Sequence, residues 1–460
     1  MKKTIKSLCV IVMAVFFLIG CGTKKNNQKT EGKVKLDPEN PVSIRVWHYY
    51  NGSQQAAFDE LVNEFNSTKG KELGINVEGI SQGTVSDLAK TVSDSIDGKV
   101  GVDKLPNIFS SYADTAYYAQ QKGKLVDLSE YFSKEELEKY VDSYIEEGYL
   151  KNDKALYLFP VAKTTESLMI NKTDWEPFAK QTGSSLDELK TIEGVVKVAK
   201  RYYEWTDAKT PNKPNDGKAF YGRDSMANYF VIGMKQLGKD IFEVRDGNVK
   251  FNIDKKLIKR LWENYYVPYI NGYFPDRVED DDKSYDIDYE VLPAPIMSGG
   301  ENYKVQQGAD MAVTKSDKKH EYASCVFIKW FTQKEQNLQF VCKSAYMPVL
   351  KSANNVKALD DIIEKKSLHI NNKTYDCLKN VMGDFDNTKY YTTKNFENGS
   401  SAREVLETNL SSKAQKDRKE IEKALAKGMK RSEVIKKYTT EEAFDKWYGE
   451  FSDALSNSLK

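Results

Sequence analysis

Histidine and net charge are both scarce in this chain of 460 residues, and each scarcity excludes a class of function. Only three histidines occur, and no Cys or His pair stands at the spacing of metal ligands, so we expect no metal site. Lysine plus arginine (69) and aspartate plus glutamate (68) nearly cancel to +1, which creates no field that would recruit nucleic acid. Neither a P-loop nor a Gly-x-Gly-x-x-Gly spacing occurs, so we expect no nucleotide site and no cofactor.

Cysteine is scarce as well. Cys9 and Cys21 lie in or directly after the amino-terminal apolar run, so Cys325, Cys342 and Cys377 remain in the body of the protein. An odd remainder argues against a disulfide framework. Cys325 lies in an apolar stretch, and we interpret it as a buried small side chain instead of a functional thiol.

What the chain has in quantity is length and aromatic side chains. Domains of roughly 100 to 200 residues are the usual folding unit, so a chain of this length should form two or three of them. Aromatic residues make up 12% of the chain. Their rings serve either as core filler or as flat faces for stacking a ligand, and core filler is the default for most of them.

The amino-terminal segment has the pattern of an export signal. Lysines within the first six residues precede an apolar run over residues 8–19, which is too short to span a bilayer. The run ends in Leu-Ile-Gly-Cys, which resembles the bacterial lipobox, and Cys21 is the expected lipidation site; the alternative is a transmembrane anchor that ends in a cysteine by chance. We therefore predict a lipoprotein signal peptide over residues 1–20, a flexible polar tether over 21–40 and a membrane-anchored protein on the extracellular face, periplasmic if an outer membrane exists.

Hydrophobic periodicity after residue 40 predicts an alternation of strands and helices. Apolar residues alternate over residues 42–47, recur at helical spacing over 58–65, form a strand pattern again over 75–80, a helix pattern over 85–96 and a third strand over 105–109. A βαβαβ unit implies a mostly parallel sheet with helices on both faces, so the fold class is α/β.

The rest of the chain has more helical character. The pattern predicts helices and one strand over residues 190–203 (helix), 254–266 (helix), 289–295 (strand), 319–331 (helix) and 402–460 (helix). The second helix should end before Pro268, because proline disrupts a helix interior. The acidic run over residues 279–282 lacks the glycine and alternating oxygen ligands of a calcium loop, and we interpret it as a solvated turn.

A series of short segments then supplies a family resemblance through their order and spacing. They are VWHYY (46–50), LPNIFSSYAD (105–114), GKLVDL (123–128), FPVAKT (159–164), MINK (169–172), QQGAD (306–310), FIKW (327–330) and SAYMP (344–348). Together they resemble the family 1 extracellular solute-binding proteins, the maltodextrin-binding-protein-like sugar-binding lipoproteins of ABC transporters.

The resemblance implies a two-lobed periplasmic-binding-protein-like fold of type II, with discontinuous lobes joined by a hinge. We expect lobe 1 to comprise residues 41–161 plus 305–344, and lobe 2 residues 162–304 plus 345–460. The segment before Val291 is shorter than is usual in the family, which implies an altered specificity or a wider cleft. Ligands of open α/β sheets bind outside the carboxyl ends of strands, in agreement with a site between the lobes.

The resemblance also implies a function. The expected protein is a monomeric, non-enzymatic component of an ABC importer that captures a carbohydrate, an oligosaccharide by preference, and delivers it to membrane permease subunits. There are three alternatives: a surface glycoside hydrolase, an adhesin or sensor lipoprotein, and a receptor for a non-sugar solute such as a glycerol phosphate. A hydrolase needs two suitably spaced carboxylates, and the sequence does not single out such a pair.

Aromatic and short polar side chains suit a sugar site, because rings pack on its C–H faces and polar groups pair with its hydroxyls. The predicted ligand-binding residues are Trp47, His48, Tyr49, Tyr50, Ser111, Tyr112, Asp114, Lys163, Thr165, Glu166, Tyr229, Gln307, Asp310 and Tyr346. Each of these has an alternative role. Trp47 and Tyr49 could instead pack in the core, and Asp114 could cap a helix that begins near residue 115. The group around Lys163 could form the hinge. Arg223 is a further candidate from the second lobe.

Overall fold

The computed structural model describes residues 34–151, 154–245, 247–275 and 286–460. The signal peptide, Cys21, most of the tether and the acidic run over residues 279–282 lie outside these ranges, so the expectations for them stay predictions. In the part of the chain that the structure describes, no helix combines the length and the apolar character needed to cross a bilayer.

The predicted βαβαβ unit is present near the amino terminus. Strands β1 (Val42–His48), β2 (Ile75–Ser81) and β3 (Ile108–Ser111) are parallel, and β9 (Asp310–Val313) adds an antiparallel edge in the order β2-β1-β3-β9. The third strand begins later than predicted. Pro106 has no N–H to donate to a ladder, and the pairing of β3 with β1 begins only at Ile108.

The other strands form small two-stranded sheets. They are β4 (Ser167–Asn171) with β7 (Tyr289–Pro293), β5 (Phe242–Arg245) with β6 (Asn248–Phe251), and β8 (Tyr303–Val305) with β10 (Lys389–Tyr391).

Helices cover the sheets and make up most of the second half. The first group is α1 (Gly52–Ser67), α2 (Lys69–Leu73), α3 (Val85–Ile96), α4 (Ala113–Gln121), α5 (Lys134–Leu137), α6 (Asp142–Glu147), α7 (Lys172–Thr182), α8 (Ile192–Asp207), α9 (Met226–Gln236) and α10 (Lys255–Ile270). The second group is α11 (Lys318–Phe331), α12 (Lys334–Ser344), α13 (Val356–Lys366), α14 (Asn372–Gly383), α15 (Gly399–Ala426), α16 (Arg431–Lys436) and α17 (Glu441–Asn457).

The helix predicted over residues 402–460 is three helices, α15, α16 and α17, which are interrupted at residues 427–430 and 437–440. Another helix boundary was also predicted wrongly. Helix α10 does not end before Pro268 but continues to Ile270, with the proline inside its last turn. The carbonyls of Val267 and Pro268 still accept backbone hydrogen bonds from Asn271 and Tyr273, so the turn closes normally beyond the proline. Burial of Tyr269 and Ile270 in the core favours this extension over an earlier stop.

Two large hydrophobic cores divide the molecule. The first contains the parallel sheet and its helices, from Val42 to Ala162 and again from Ala309 onward. The second is helical and runs from Ile192 to Val305, then from Phe396 to Leu455. The chain therefore passes between the cores more than once, as the two-lobed α/β prediction requires. The residue boundaries of the lobes stay a prediction.

Candidate ligand-binding cleft

Three chain segments meet where the two cores join. The backbone of Lys163 pairs with Met347, and the backbone of Thr164 pairs with Gln307. Gly308 follows with a φ of +105°, and a Cβ atom there would lie 2.8 Å from the carbonyl oxygen of Ala162. Only glycine fits this close approach, so the segments can lie side by side.

A cavity of about 350 Å³ opens beside this junction. Its walls come from both cores and from the junction itself. The lining residues are Val85, Tyr112, Ala113, Asp114, Glu147, Val231, Val305, Gln306, Gln307, Thr392, Thr393, Lys394, Phe396, Gly399 and Arg403. We call this cavity the cleft.

Asp114 enters the cleft from the start of α4. The N-cap of that helix is Tyr112 and its first helical residue is Ala113, so Asp114 is not the helix cap that we considered as an alternative. Its carboxylate faces the other wall, where a Cβ atom at Gly399 would lie 3.2 Å from Asp114 Oδ1. Burial raises the pKa of Asp114 above its usual value, and the positive charge of Arg403 opposes that rise.

A chain of polar side chains crosses from the cleft into the second core. Arg403 Nη2 donates to Asn228 Oδ1 at 3.2 Å, and Asn228 Nδ2 donates to Glu166 Oε1 at 2.8 Å. Gln307 Nε2 lies 3.5 Å from the same Asn228 oxygen. Asn228 is buried, so these contacts set the direction of its amide and place the guanidinium of Arg403 at the cleft wall.

A buried ionic cluster lies on the first-core side of the cleft. Lys163 Nζ is 2.7 Å from Asp310 Oδ1 and 2.8 Å from Glu147 Oε2, and it donates to Gly308 O at 3.2 Å. Lys163 and Asp310 are fully buried, whereas Glu147 reaches the cleft. Gln306 Nε2 donates to Glu147 Oε2 at 2.7 Å. One ammonium group between two carboxylates leaves one negative charge without a cationic partner in this cluster.

That imbalance sets the titration of the cluster. Burial raises the pKa of Asp310 to about 7; the Lys163 ammonium opposes the rise and the Glu147 carboxylate adds to it. Burial lowers the pKa of Lys163, but the two carboxylates outweigh burial and the pKa is raised overall. Lys163 therefore stays charged, and Asp310 is the group that takes up a proton.

A protein-family model described as bacterial extracellular solute-binding protein matches residues 60–284. Over these residues the chain is similar to the bacterial extracellular solute-binding proteins. The description of that family implies a location outside the cytoplasm and the binding of a solute. No curated protein sequence gives a significant match.

Solved structures of solute-binding proteins share the two-lobed fold at low sequence identity. A cyclic alpha-maltosyl-1,6-maltose binding protein from Arthrobacter globiformis is 19% identical, with a TM-score of 0.61 over 92% of this chain and 100% of that one. A family 1 extracellular solute-binding protein from Alicyclobacillus acidocaldarius is 12% identical, with a TM-score of 0.60 over 92% and 100%. UgpB from Mycobacterium tuberculosis, solved with glycerophosphocholine, is 16% identical, with a TM-score of 0.60 over 90% and 99%.

The aromatic residues at the end of β1 and directly after it do not line the cleft. Trp47, His48, Tyr49 and Tyr50 are all buried in the first core. The hydroxyl groups of Tyr49 and Tyr346 form a buried hydrogen bond of 3.0 Å. Strand β1 has a partner strand on each side, and the rings of Phe58 and Phe340 pack against Tyr50 at its end. The residues at the strand end are therefore covered, and the core-packing alternative describes Trp47 and Tyr49.

His48 is the last residue of β1 and is buried. Its Nδ1 accepts a hydrogen bond from the backbone N–H of Tyr50, and burial lowers the pKa of His48 to about 4. The ring is therefore neutral at physiological pH.

The structure brings three of the predicted residues together in the cleft: Tyr112, Asp114 and Gln307. Glu166 lines a separate cavity in the second core. The others are in or next to packed regions, and they are Ser111, Lys163, Thr165, Tyr229, Asp310 and Tyr346. Tyr229 donates its hydroxyl to Leu261 O at 2.8 Å, and Arg223 lies over its ring, so both are committed to the second core.

Sequence reasoning missed three residues that line the cleft. Glu147 lies on the first-core side, and Phe396 and Arg403 lie on the opposite wall. None of them belongs to the segments that carry the family resemblance. Helix α15 is long and mostly solvated, and an arginine near its start has no local signal that separates it from the surface charges farther along. A usable signal for Glu147 was its place directly before Gly148, at the end of a short helix that the pattern did not predict.

Proposed function

We propose that this protein is the extracellular substrate-binding component of an ABC importer. It captures a carbohydrate in the cleft, closes around it and presents it to membrane permease subunits. We further propose that the protein is a monomer anchored through a lipid on Cys21 and that its lobes follow the boundaries expected from the sequence. Closure is a hinge motion at the junction of residues 163–164, 307 and 347, driven by the ligand's stronger contacts with the closed state.

The observation that carries the proposal is the composition of the cleft. Tyr112 supplies a partly exposed ring, 37% exposed, while Asp114, Gln307 and Arg403 supply acceptors and donors around it. The cleft thus combines a flat apolar face with paired polar groups of both kinds, which is what a polyhydroxylated ring requires. The related structures support this, since one of them is named as a maltose-derivative binding protein.

A glycerol phosphate ester is the second candidate, because a related structure was solved with glycerophosphocholine. Arg403 and Lys394 line the cleft and suit a phosphate group. Asp114 and Glu147 line it too, so the cleft carries charges of both signs, which fits a neutral polyhydroxylated ligand at least as well as an anion.

The test is thermal unfolding of the mature protein with a panel of oligosaccharides, monosaccharides, polyols and glycerol phosphate esters. A ligand at about 100 times its dissociation constant adds about 2.7 kcal/mol to the free energy of unfolding and raises the midpoint. We expect a rise with one carbohydrate class, with the sugar recovered intact after long incubation. Cleavage of the sugar would favour the hydrolase alternative. A rise of the unfolding midpoint only with phosphate esters would favour the second candidate, and no rise with any compound would favour the adhesin or sensor alternative.

A further inference from the structure

The carboxyl-terminal helices carry an excess of positive charge. Residues 413–437, which comprise the second half of α15, the turn after it and α16, contain ten lysines and arginines against four aspartates and glutamates. Their net charge is +6, whereas the whole chain of 460 residues has a net charge of +1. A local excess of this size creates a positive field at the surface, although the molecule as a whole is nearly neutral.

Most of the carboxylates in this stretch are already used within it. Three of the four pair with a basic residue of the same helix, at 2.8 to 2.9 Å. The pairs are Asp417 with Lys413, Glu420 with Lys423, and Glu422 with Arg418. Glu433 is the remaining carboxylate, and six lysines of the stretch are left over.

A row of lysines follows one exposed face of α15. The row consists of Lys416, Lys419, Lys423 and Lys427, and all four are exposed. Intervals of three or four residues place side chains on the same side of a helix. Ala414 and Ile421, on the other side, are buried in the second core. The row from 416 to 427 is about 17 Å long, because a helix rises about 1.5 Å per residue.

A fifth lysine lies beside this row. The hydrogen bond from Lys423 lowers the pKa of Glu420. The charges of Lys437 and Lys416 lower the same pKa further, so Lys437, directly after α16, is close to the row. We call these five lysines, at 416, 419, 423, 427 and 437, the basic face.

The basic face ends in an exposed apolar residue. The turn after α15 reads Lys427-Gly428-Met429-Lys430, and Met429 is 51% exposed. Gly428 has a φ of +81°, which ends the helix and turns the chain towards α16. A methionine between two lysines offers an apolar group and cations side by side. This combination suits the boundary between lipid headgroups and acyl chains.

The basic face lies far from the cleft. Helix α15 begins at the cleft, where Arg403 lines the wall, and Lys427 directly follows the last residue of the helix. At about 1.5 Å per residue, these two positions are about 36 Å apart. A partner on the basic face therefore leaves the cleft free for a solute.

The basic face is also defined by α15 and the end of α16 alone. The described residues next to the range 276–285 contact other parts of the second lobe. A Cβ atom at Gly222 would lie 3.4 Å from the side chain of Pro275, and the N–H of Asp288 donates to Thr173 Oγ1 at 2.9 Å.

We propose that the basic face binds the surface of a membrane that contains anionic phospholipids, with its lysines at the headgroup phosphates and Met429 at the acyl boundary. A lysine close to an anionic leaflet strengthens binding about fivefold, and the effect falls off within a Debye length of about 8 to 10 Å. A straight row of lysines that ends in an exposed methionine matches a lipid plane better than it matches an acidic polypeptide, which offers no apolar layer.

The proposal adds an activity to solute capture and needs only a location outside the cytoplasm, which the family description implies. The tether predicted over residues 21–40 reaches at most about 70 Å, which lets the basic face meet the bilayer that holds the anchor. Lipid contact would then fix the orientation of the protein on the membrane.

The test is flotation of the mature protein with lipid vesicles. Residues 21–460 are produced with Cys21→Ala, so that no lipid is attached and all binding comes from the folded protein. Vesicles of phosphatidylcholine alone are compared with vesicles that also contain phosphatidylglycerol. We expect binding to the anionic vesicles only, and this binding should weaken as the salt concentration rises.

Two sets of variants with the same net charge localise the effect. The first set removes three lysines of the basic face and should weaken vesicle binding about a hundredfold. It combines Lys419→Gln, Lys427→Gln and Lys437→Gln. The control set removes three exposed lysines near the first core and should leave the affinity unchanged. It combines Lys71→Gln, Lys104→Gln and Lys122→Gln.

Met429→Ser distinguishes a lipid surface from an acidic polypeptide. The change should weaken vesicle binding about threefold to tenfold, because part of a methionine side chain no longer leaves water. Tighter binding to polyglutamate than to anionic vesicles, with no effect of Met429→Ser, would make an acidic polypeptide the partner and overturn the proposal.

Two further results would overturn it. Equal binding to both kinds of vesicle would mean that anionic headgroups are not recognised, and an equal loss in both lysine sets would mean that only the total charge matters. The thermal shifts with the solute panel should be the same in the first lysine set as in the parent. Solute capture and membrane binding can therefore fail independently of each other.

Discussion

Two polar clusters flank the cleft, and they differ in how deeply their charged groups are buried. In the Lys163 cluster every charged group is buried or nearly so, and the lysine contacts both carboxylates within 2.8 Å, although one negative charge has no cationic partner. In the Arg403 cluster the guanidinium makes one hydrogen bond to a described residue, at 3.2 Å, and the Asp114 carboxylate makes none. Burial closes the charged groups of the first cluster to a ligand, whereas the second keeps free donors and acceptors at the cleft wall. This difference separates residues that hold the junction from residues that bind.

The largest expected effect comes from removing the cation of the buried cluster. Lys163→Met leaves Glu147 and Asp310 without their shared partner, and breaking a buried ion pair costs about 3–5 kcal/mol. Chemical denaturation should show a loss of this size. Lys172→Met is the matched control, because Lys172 is 42% exposed and its pair with Glu176 is 3.6 Å long. Equal loss in both variants would contradict a special role for the buried lysine.

The second prediction concerns pH and the uncompensated carboxylate. The pKa of Asp310 is raised from 3.8 to about 7 in the folded protein, so the folded state holds a proton that the unfolded chain has released between these values. The free energy of unfolding should therefore fall as the pH rises from about 4 to about 7 and level off above that. Burial is the main cause, with Glu147 adding to it and Lys163 opposing it.

Asp310→Asn provides the check, because the amide cannot ionise and keeps nearly the same shape. The variant should lose this part of the pH dependence and be at least as stable as the parent at pH 7, where the parent starts to hold the extra charge. Unfolding curves at a series of pH values measure both. An unchanged slope in the variant would assign the titration to another group.

The third prediction addresses the half-satisfied cluster. Arg403→Ala should weaken carbohydrate binding by about tenfold to a hundredfold, since a hydrogen bond to a charged group contributes about 1.5–3 kcal/mol. Calorimetric titration measures the dissociation constant. Arg418→Ala, on the same helix, removes a hydrogen bond to Phe274 O and should lower stability without changing affinity. Unchanged affinity in Arg403→Ala, or an equal loss of affinity in Arg418→Ala, would contradict ligand binding by the Arg403 cluster.

The comparison also shows where sequence reasoning succeeded and where it could not. Strands β1 and β2 and helix α3 were predicted closely because one face of each is buried and the other is exposed. Apolar residues therefore recur along the sequence with the period of the strand or the helix. Gly308 has a φ of +105°, and only glycine can take this backbone geometry so close to Ala162. These features depend on neighbours in the chain or on backbone geometry that only glycine adopts.

The cleft depends on distant segments. Asp114 and Arg403 meet across hundreds of residues, and the polarity of either side chain is equally compatible with a surface position. The rings at residues 47–50 looked like ligand platforms because they follow a strand, yet the packing of α1 and α12 over that strand end covers them. Tertiary contacts of this kind have no signature in the local pattern.

The smallest expected effect distinguishes the ring of Tyr112 from its hydroxyl. Tyr112 lines the cleft with 37% of its surface exposed, and burial raises the pKa of its phenol, so the group is neutral under ordinary conditions. If the ring stacks on a sugar face, Tyr112→Leu should weaken binding by about 1 kcal/mol, or about fivefold, while Tyr112→Phe should bind almost as the parent does. Neither change should alter the unfolding midpoint of the free protein strongly. If Tyr112→Phe loses as much affinity as Tyr112→Leu, the hydroxyl binds the ligand, and this wall of the cleft resembles the Arg403 cluster. If neither variant loses affinity, only the polar groups bind the ligand.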